Sequence, residues 1–344
     1  MKRLSVTSQQ VAEYAGVSRT TVSLVLNHIQ KPNISEQTRQ RVLQAAKDLG
    51  YIPDATAQAL VQGHNRNIGL LIFQATGQVF HDPYIPTVLT GITEGLKQQG
   101  WRILVENIED SSQSALIGQM LRSKEIAGAI TDDQVYVETT FAAGFKDDFP
   151  LVLLNHKPID GINTISIDLS LGDEELMRHL FAHGHHNIAC IPYTSTEKSP
   201  FVIDRLNAYK RMLSESNLPY NPALVCFGDY SIETGFDAMN KLLQLRPLPT
   251  AVYAMNDTMA IGAMRAIHKA GLRIPDDIAI IGFDDHRFAE WLTPTLTSVH
   301  VPWLEQGQLA AEMLLQLING QQPQKSNIAL RPHRIVRESC GSHN

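Results

Sequence analysis

The chain has 344 residues, 43% hydrophobic and 19% charged, a composition typical of globular proteins with room for two or three domains and a large core. No apolar run reaches the roughly 20 residues of a membrane-spanning helix, and the opening MKRLSVTSQQ lacks the apolar stretch of a secretory signal. The three cysteines are far apart in the sequence and lack the close spacing of zinc ligands, which favours buried thiols in a reducing compartment. We therefore expect a cytoplasmic protein without membrane contact.

The net charge of −6 is unevenly distributed along the chain. Residues 1–66 hold eight Lys and Arg against four Asp and Glu, a net charge of +4, which leaves −10 for the remainder. A basic N-terminal segment on an acidic body is typical of a protein whose first segment binds a polyanion such as DNA. A chance surplus of basic residues in a small domain explains the charge equally well.

The first stretch with a clear pattern is SQQVAEYAGVSRTTVSLVLN, residues 8–27. Its apolar residues form two short runs on either side of Gly16. Thr7 and, three residues on, Gln10 predict a capping box at the start of the first helix, and Ser18 predicts the cap of the second. Two short helices joined by a glycine turn are typical of a helix-turn-helix motif.

A third helix is predicted from Ser35, its cap, to Gly50, which ends it. The apolar stripe of this helix is predicted to consist of Val42, Leu43, Ala46 and Leu49. Pro53 then blocks continuation, and Asp54 can cap a further short, alanine-rich helix that ends near Gly63. Because that helix has little to pack against, we expect it to be a linker that orders only against a partner.

From Ile68 onward, apolar runs alternate with amphipathic stretches. The strand candidates are residues 68–73, 102–107, 127–131, 151–155, 187–192, 223–228, 251–255 and 278–283. Continuous apolar strands separated by helices indicate parallel sheets covered on both faces. Because eight such units exceed one sheet, we predict two doubly wound α/β subdomains.

Polar and aromatic residues follow several of these strands, at the sheet edge where open parallel sheets bind their ligands. They are Gln74, Asn155, Tyr230, Asn256, Asp257, Asp284 and Asp285. Amides and carboxylates pair with adjacent hydroxyls and an aromatic ring stacks on C–H groups, so the set together indicates a cleft for a polyol or sugar. Taken singly, each Asn or Asp is better explained as the cap of the helix that follows.

The sequence shows no catalytic signature. It lacks a phosphate loop, a Gly-x-Ser-x-Gly elbow and a Gly-rich dinucleotide turn after the first strand. The HGHH cluster at 183–186 offers no further ligands that complete a metal site, which favours a loop between helix and strand. His81, Asp82 and His286 can reach the cleft but form no set of nucleophile and base. We predict neither an enzyme nor a protein with a metal or cofactor.

These patterns resemble the lactose-repressor (LacI/GalR) family of bacterial transcription regulators. The resemblance is carried by VAEYAGVSRTTVSLVLN, ISEQTRQRVLQAAKDLGYIPDATAQAL, NIGLLI, GITEGLKQQGW, LFAHGHHNIACI, DRLNAYKRML, NDTMAIGAMRAIHKAGLRIPDDIAIIGFDD and PTLTSVHVP, in this order. It implies a three-helix helix-turn-helix domain over residues 1–51, a hinge helix or linker over 52–66, and a two-lobed core over 67–344 like that of periplasmic sugar-binding proteins.

The resemblance also implies how the core is divided between its two lobes. The chain is expected to cross between lobes near residues 163, 293 and 326. Lobe 1 then comprises about 67–163 and 294–326, and lobe 2 about 164–293 and 327–344.

The implied function is that of a sequence-specific repressor controlled allosterically by a small molecule, with a sugar as the expected class. A homodimer is expected to bind a palindromic operator in double-stranded DNA, in the cytoplasm and on the nucleoid when bound. No heptad tail follows RPHRIVRESCGSHN, which favours a dimer over a tetramer. A stand-alone solute-binding protein, the alternative, would share the core but carry a signal peptide and no basic head.

The predicted DNA contacts lie mainly in the second helix, whose N-terminal residues face the bases of the major groove. Arg19 is the candidate for a bidentate bond to guanine, with Thr20 beside it, and Leu24 offers apolar contact to a thymine methyl. Phosphate anchors are expected at Ser8, Thr21, Ser23, Asn27 and Thr38. By resemblance, two hinge helices pair over the minor groove, with Leu60 as a wedge between base steps and Ala57 as a further contact.

In the core, the resemblance implies that Asp284 and Arg205 anchor the effector. The other predicted lining residues are Gln74, Tyr84, Asn155, Tyr230 and Asn256. For Arg205 the alternative is a solvated charge on a helix. A small molecule that changes how the lobes close would join or separate the hinge helices and so alter DNA affinity.

Overall fold

The structure, a computed structural model, describes residues 6–26, 34–51, 66–73, 83–97, 100–108, 120, 123–132, 149–155, 158–193 and 200–341. Several sequence predictions lie outside these residues: the linker helix from Asp54 to Gly63 and the side chains of Asn27, Ala57, Leu60, Gln74, His81 and Asp82. In the described ranges, no helix is both long enough and apolar enough to span a membrane.

The N-terminal domain consists of three helices, α1 (Ser8–Ala15), α2 (Arg19–Leu26) and α3 (Glu36–Leu49). The predicted capping box is confirmed: the Gln10 backbone N–H donates to Thr7 Oγ1, and the Thr7 N–H donates to Gln10 Oε1 at 2.8 Å. Ser18 and Ser35 cap the next two helices by accepting from the backbone N–H groups of the residues three positions later. Gly16 and Gly50 end α1 and α3 in the left-handed conformation, both with φ of 63°.

The core of the three helices is small and mostly aliphatic. It is formed by Val11, Ala12, Ala15, Val22, Val25, Val42, Ala45 and Ala46. The prediction for α3 was wrong at one position, because the Leu43 side chain is 36% exposed and Ala45 takes its place in the core. The i, i+3, i+4 spacing places Val42, Ala45 and Ala46 on a single helical face, and Leu43 lies outside this face.

A six-stranded parallel sheet forms the core of lobe 1, with strands β1 (Asn67–Phe73), β2 (Arg102–Ile108), β3 (Gly128–Thr131), β4 (Leu151–Leu154), β5 (Asn163–Ile167) and β10 (Asn327–Leu330). The order of the strands in the sheet is β10-β5-β4-β3-β1-β2. Two helices of this lobe are α4 (Tyr84–Gly95) and α9 (Trp303–Ile318). Buried Ile, Leu and Val side chains fill the space between the sheet and these helices, as expected for a sheet covered by helices.

Lobe 2 is built on a three-stranded parallel sheet in the order β6-β7-β8. The strands are β6 (Ile188–Ile191), β7 (Ala251–Ala254) and β8 (Ala279–Ile281), and the helices are α5 (Leu169–Ala182), α6 (Pro200–Glu215), α7 (Ile232–Leu242) and α8 (Asp257–Lys269). A further antiparallel pair, β9 (Ser298–His300) and β11 (His333–Ile335), lies near the passages between the lobes.

One of the eight predicted strands is wrong. Residues 223–228 form a short 3₁₀ turn, Pro222–Leu224, followed by isolated bridges from Val225 to Cys190 and from Gly228 to Tyr193. The Asn221 side chain accepts from the Ala223 N–H and starts this turn, so the first residues of the predicted strand are in the turn and not in a strand. The other seven candidates contain strands, whereas β5, β9, β10 and β11 were not predicted.

The described strands shift the predicted crossings between lobes by a few residues. The lobe 1 sheet continues beyond 163 to Ile167 and beyond 326 to Leu330. Residues 294–300 were assigned to lobe 1, yet Gly282 N–H and Asp284 N–H donate to the carbonyls of Thr297 and Val299. These backbone bonds attach that segment to the end of β8, so the last passage into lobe 1 comes just before α9.

Close packing of α4 against α9 fixes the side chains that face the other lobe. At Gly307 on α9, a Cβ would collide with the backbone carbonyl of Val88 on α4, and at Gly91 one would collide with that of Leu304. The two glycines therefore allow the helix backbones to touch. This approach places Trp303, at the start of α9, with its ring centroid 4.6 Å from that of Tyr84.

Candidate functional site

The N-terminal ends of α1 and α2 lie side by side on the surface of the N-terminal domain. Arg19, the first residue of α2, is exposed, and its Nε donates to Ser8 Oγ at the start of α1, a distance of 3.0 Å. Thr20 beside it is also exposed. The structure thus brings together the guanidinium of Arg19, a predicted base contact, and the hydroxyl of Ser8, a predicted phosphate contact.

The predicted phosphate anchors Thr21 and Thr38 occupy equivalent positions at two helix N-termini. Thr21 Oγ1 lies 2.9 Å from Ser18 Oγ, and Thr38 Oγ1 lies 2.9 Å from Ser35 Oγ. Helix N-termini present unpaired backbone N–H groups and a positive dipole end to anions, so both places suit a phosphate. The remaining described candidates, Ser23 and Leu24, are half-buried on α2.

In the core, four side chains of lobe 1 form a connected polar group at the edge that faces lobe 2. Asn155, directly after β4, donates from Nδ2 to Tyr84 Oη at 3.0 Å. Gln306 on α9 donates from Nε2 to Asn155 Oδ1 at 2.8 Å and to the Ile165 carbonyl at 2.9 Å. The Trp303 ring stands edge-on to the Tyr84 ring. Two of these residues, Tyr84 and Asn155, were predicted; Trp303 and Gln306 were not.

Lobe 2 contributes Asp284, which follows β8 and meets the lobe 1 group across the cleft. Trp303 Nε1 donates to Asp284 Oδ1 at 3.2 Å, so a single indole N–H joins the two lobes at this point. The other carboxylate oxygen lies 3.7 Å from Nε2 of His286. We refer to Tyr84, Asn155, Asp284, Trp303 and Gln306 together as the cleft group.

Burial raises the pKa of the Asp284 carboxyl to about 6, and the charge of Arg205 and the Trp303 hydrogen bond limit the increase. At neutral pH the carboxylate is therefore charged in a poorly solvated place with few donors around it. Such a group favours a ligand that brings hydrogen-bond donors of its own.

The raised pKa predicts a pH-dependent stability that the Asp284→Asn variant lacks. Because the unfolded state releases the proton near 3.8 and the folded state near 6, the carboxyl lowers the free energy of unfolding progressively between these pH values. Relative to Asp284→Asn, the wild-type chain is expected to lose about 2 kcal/mol of stability between pH 4 and pH 7. The free energy of unfolding of both proteins, measured with urea at several pH values in this range, tests the effect. The same pH dependence in both proteins would contradict it.

Arg205 lies in the interior of lobe 2 and not at a solvated helix surface, which excludes the alternative interpretation of this residue. Its side chain is 2% exposed, and its charge is balanced by Asp173 on α5, which is 0% exposed. Arg205 Nε donates to both Asp173 oxygens at 3.1 Å, and Nη2 donates to Asp173 Oδ1 at 2.7 Å and to Tyr253 Oη at 2.6 Å. Nη1 donates to the Met255 carbonyl at 2.9 Å and to the Tyr193 hydroxyl.

All five N–H groups of the Arg205 guanidinium therefore already have acceptors within the protein. Arg205 was predicted to anchor the effector, and in the structure its donors bind Asp173, Tyr193, Tyr253 and a backbone carbonyl. Arg205 still reaches the cleft indirectly, because the ring of Tyr193, whose hydroxyl it binds, stacks on the ring of Tyr230 at 4.3 Å and 14°.

Three of the predicted lining residues have strained backbones. Asn155, Tyr230 and Asp284 have φ values of 55°, 74° and 101°, in the region that favours glycine. Positive φ in a bulky residue such as Tyr230 persists only when the surrounding structure enforces it, and such strain concentrates at functional sites.

Asn256 both caps a helix and carries a buried, unpaired donor. Its Oδ1 accepts from the Met259 N–H at 2.7 Å at the start of α8, as the capping alternative expected. Its Nδ2, however, is buried and finds no hydrogen-bond partner among the described residues. The same holds for Oε1 of Gln306 in the cleft group. Buried polar atoms without partners are uncommon, so a ligand or ordered water is expected near each.

The remaining strand-end carboxylates have structural partners in lobe 2. Asp257 is fully buried, and its oxygens accept from Ser298 Oγ at 2.7 Å and from the His286 backbone N–H at 2.8 Å. Asp285 accepts from Arg337 Nη2 at 2.6 Å and lies 3.1 Å from His300 Nδ1. Both therefore hold the segment after β8 in place and hence orient Asp284.

The histidine cluster at 183–186 lies in a loop between α5 and β6, as predicted. His183 Nδ1 lies 2.8 Å from the His179 carbonyl, and His185 Nδ1 lies 3.2 Å from Thr250 Oγ1. Over the described part of the chain, no three His, Cys, Asp or Glu side chains are arranged to hold a metal ion. Cys190 and Cys340 are buried thiols and Cys226 is a half-buried thiol, and none of the three forms a disulfide.

Two parts of the chain match models of known protein families. A family model described as "Bacterial regulatory proteins, lacI family" matches residues 7–54, and one described as "Periplasmic binding protein-like domain" matches residues 177–340. The "Probable HTH-type transcriptional repressor ExuR" of Bacillus subtilis (strain 168) is 33% identical over 337 residues, which cover 97% of this chain and 98% of that protein.

Solved structures agree over the same length. The lac repressor dimer bound to operator and the anti-inducer ONPF has a TM-score of 0.82 at 30% identity, covering 98% of this chain and 99% of that one. A complex of the transcriptional regulator CelR with cellobiose has a TM-score of 0.69 at 26% identity, covering 97% and 99% of the two chains.

Proposed function

The chain belongs to the LacI family of bacterial regulatory proteins and is a DNA-binding transcriptional repressor, not an enzyme; on this premise we propose that it binds a palindromic operator as a homodimer and is controlled by a small sugar. In this proposal residues 1–51 read the operator, 52–66 form the hinge, and the core from 67 onward binds the sugar and the second subunit. The site of action is the cytoplasm, on the nucleoid when the protein holds DNA.

The DNA-binding part of the proposal rests on the surface formed by α1 and α2. Arg19 lies at the N-terminal end of α2, where a recognition helix presents its first residues to base edges. Its bond to Ser8 orients the guanidinium, and the N-terminus of α2 lies beside it. We assign Arg19 to a guanine, Thr20 and Leu24 to neighbouring base edges, and Ser8, Thr21, Ser23, Asn27 and Thr38 to phosphates. Leu60 and Ala57 of the hinge are assigned to the minor groove.

The effector part of the proposal is carried by Asp284, a charged carboxylate placed between the two lobes. It accepts one bond from Trp303 and keeps acceptor capacity for adjacent sugar hydroxyls. The rings of Tyr84, Trp303 and Tyr230 offer apolar faces for sugar C–H groups, and Asn155 and Asn256 add amide groups. This mixture of flat apolar faces and convergent hydrogen-bonding groups suits a polyol.

A sugar in this cleft would act through the bond that joins the lobes. Trp303 belongs to lobe 1 and Asp284 to lobe 2. Sugar hydroxyls that replace Trp303 as donors to the Asp284 carboxylate therefore alter the distance or angle between the lobes. Because the core follows the hinge directly in sequence, a change in lobe closure in both subunits moves the hinge helices relative to each other. The ligand thus shifts the balance between a conformation that binds the operator and one that does not.

The proposed function predicts strong, salt-dependent and sequence-specific binding of the full-length chain to DNA. Selection from a library of random duplexes is expected to yield a palindromic site, with affinity at least about a thousandfold above that for random duplexes. Fluorescence anisotropy at several salt concentrations should show a steep fall of affinity with salt, because basic side chains displace counterions from phosphates. Equal affinity for selected and random duplexes, or a flat salt response, would contradict the proposal.

A further inference from the structure

Ser8 and Arg19 begin two different helices and are joined by a side-chain hydrogen bond on the surface of the N-terminal domain. Ser8 is the first residue of α1 and Arg19 is the first residue of α2. Arg19 Nε donates to Ser8 Oγ at 3.0 Å, an ordinary length for a bond of this kind. The bond therefore attaches the side chain assigned to a base to the neighbouring helix.

Neither side chain is needed to start the helix in which it lies. The cap of α1 is Thr7, and the cap of α2 is Ser18. Within the part of the chain that the structure describes, no carboxylate forms an ion pair with the Arg19 guanidinium. The bond between Ser8 and Arg19 thus has no part in capping, and either residue can be replaced with both caps intact.

The bond determines which N–H groups of Arg19 remain for a base. A guanidinium has five N–H groups, one on Nε and two on each terminal nitrogen. It can reach the O6 and N7 acceptors of guanine either with Nε and one terminal nitrogen or with both terminal nitrogens. Because Nε is bound to Ser8, only the second arrangement is open while this bond persists.

A guanidinium held in this way distinguishes guanine from adenine more strictly than a mobile one does. Adenine keeps the N7 acceptor, but it presents the N6 amino group, a donor, where guanine presents O6. Opposite adenine, a fixed Arg19 has one N–H group that faces another donor, which costs the free energy of an unsatisfied group. A mobile Arg19 avoids this cost by turning toward a phosphate. Holding the side chain therefore raises the cost of the wrong base.

We propose that Ser8 determines specificity through Arg19, by holding Nε so that the two terminal nitrogens face guanine. The inference rests on the proposed function and extends it, since that proposal gives Ser8 a phosphate contact alone. The two roles are compatible, because a hydroxyl that accepts from Nε still has a hydrogen to donate to a phosphate. A phosphate contact carries no sequence information, however, whereas a residue that positions a base contact does.

A double-mutant cycle in the full-length protein, measured on two duplexes, tests the inference. One duplex is the operator selected by the wild type. In the other, the guanine whose preference is lost in Arg19→Ala is replaced by adenine in both half-sites. Fluorescence anisotropy gives the ratio of the two affinities for the wild type, Ser8→Ala, Arg19→Ala and the double variant. Loss of a phosphate contact changes both affinities by the same factor and leaves this ratio unchanged.

Ser8→Ala is expected to lower the ratio at least about threefold, because the released guanidinium no longer meets the full cost of the wrong base. In the Arg19→Ala background the same substitution is expected to leave the ratio unchanged, since no guanidinium remains to be held. Ser8→Thr keeps the hydroxyl and is expected to retain the wild-type ratio. An unchanged ratio in Ser8→Ala, or an equal fall in both backgrounds, would overturn the inference.

Thr38→Val is the matched control for the loss of a hydroxyl. Thr38 is also assigned to a phosphate, but it lies at the N-terminal end of α3, where its Oγ1 is 2.9 Å from Ser35 Oγ. This variant is expected to weaken binding to both duplexes by one factor. A fall of the ratio as large as that in Ser8→Ala would show a general effect on the domain and would overturn the role of Ser8.

Failure of the proposed function gives a different result from failure of this inference. If the wild type binds selected and random duplexes equally, the proposed operator binding falls. If the wild type is selective but Arg19→Ala changes no preference for guanine, operator binding stands and the role of Ser8 falls. Thermal unfolding followed by circular dichroism shows whether each variant is folded, as expected because neither Ser8 nor Arg19 caps a helix.

Discussion

Replacing Asp284 with asparagine is expected to weaken effector binding at least tenfold while leaving operator affinity near that of the wild type. Hydrogen bonds to a charged acceptor contribute about 1.5–3 kcal/mol each, and a carboxylate can accept from two adjacent hydroxyls. The asparagine amide retains one acceptor and replaces the other with a donor. In cells the variant would no longer respond to its signal, and if the sugar is an inducer it would repress permanently.

The measurement compares operator affinity with and without ligand for the wild type, Asp284→Asn and a matched control. Asp237→Asn serves as that control, because it removes the same charge from the exposed surface of α7 in the same lobe. A response of Asp284→Asn at the wild-type ligand concentration would show that the carboxylate merely shapes the segment after β8. The site would then have to be placed elsewhere between the lobes.

The same residue links function to stability. Asp284 combines a φ of 101° with burial that raises its pKa to about 6, and both features cost folding free energy. Evolutionary selection for stability alone would favour an uncharged residue or glycine here. The cost is understandable if the ligand supplies the donors that the protein withholds, because binding then relieves an unfavourable state of the empty cleft.

The sequence predicts the N-terminal domain well because its determinants are local. Thr7 and Gln10, or Ser18 and Thr21, are three residues apart, so each cap is decided within one helical turn. The α/β architecture follows equally well from apolar runs separated by helices. Leu43 was assigned wrongly because residue type alone does not distinguish an apolar residue beside the buried stripe from one within it.

The cleft is harder to predict because its contacts join residues far apart in the chain. Trp303 meets Asp284 only after the chain has returned to lobe 1, and Gln306 meets Asn155 across 151 positions. Arg205 was recognised as important, but its pairing with Asp173 depends on how α5 packs against α6. A charge motif on one helix cannot reveal a partner that tertiary packing supplies.

Replacing Arg19 with alanine is expected to cost about 1–3 kcal/mol of binding free energy at the operator and to relax the preference at one base pair. The reason is geometric: Arg19 begins α2, is exposed, and is oriented by its 3.0 Å bond to Ser8, which suits a bidentate contact to guanine. Anisotropy with the selected operator and with each single base-pair variant measures both effects. Ser8→Ala should produce a smaller loss, since it frees the guanidinium without removing it.

The control for this experiment is Arg41→Ala, which removes an exposed positive charge from α3 in the same domain. It is expected to weaken binding to all duplexes slightly and to leave the base preferences intact, as the loss of a general electrostatic attraction does. If Arg19→Ala instead weakens cognate and random duplexes equally, Arg19 binds a phosphate. The base contacts would then have to come from Thr20 and Leu24, and specificity would depend more on apolar contact and DNA shape than on a guanidinium.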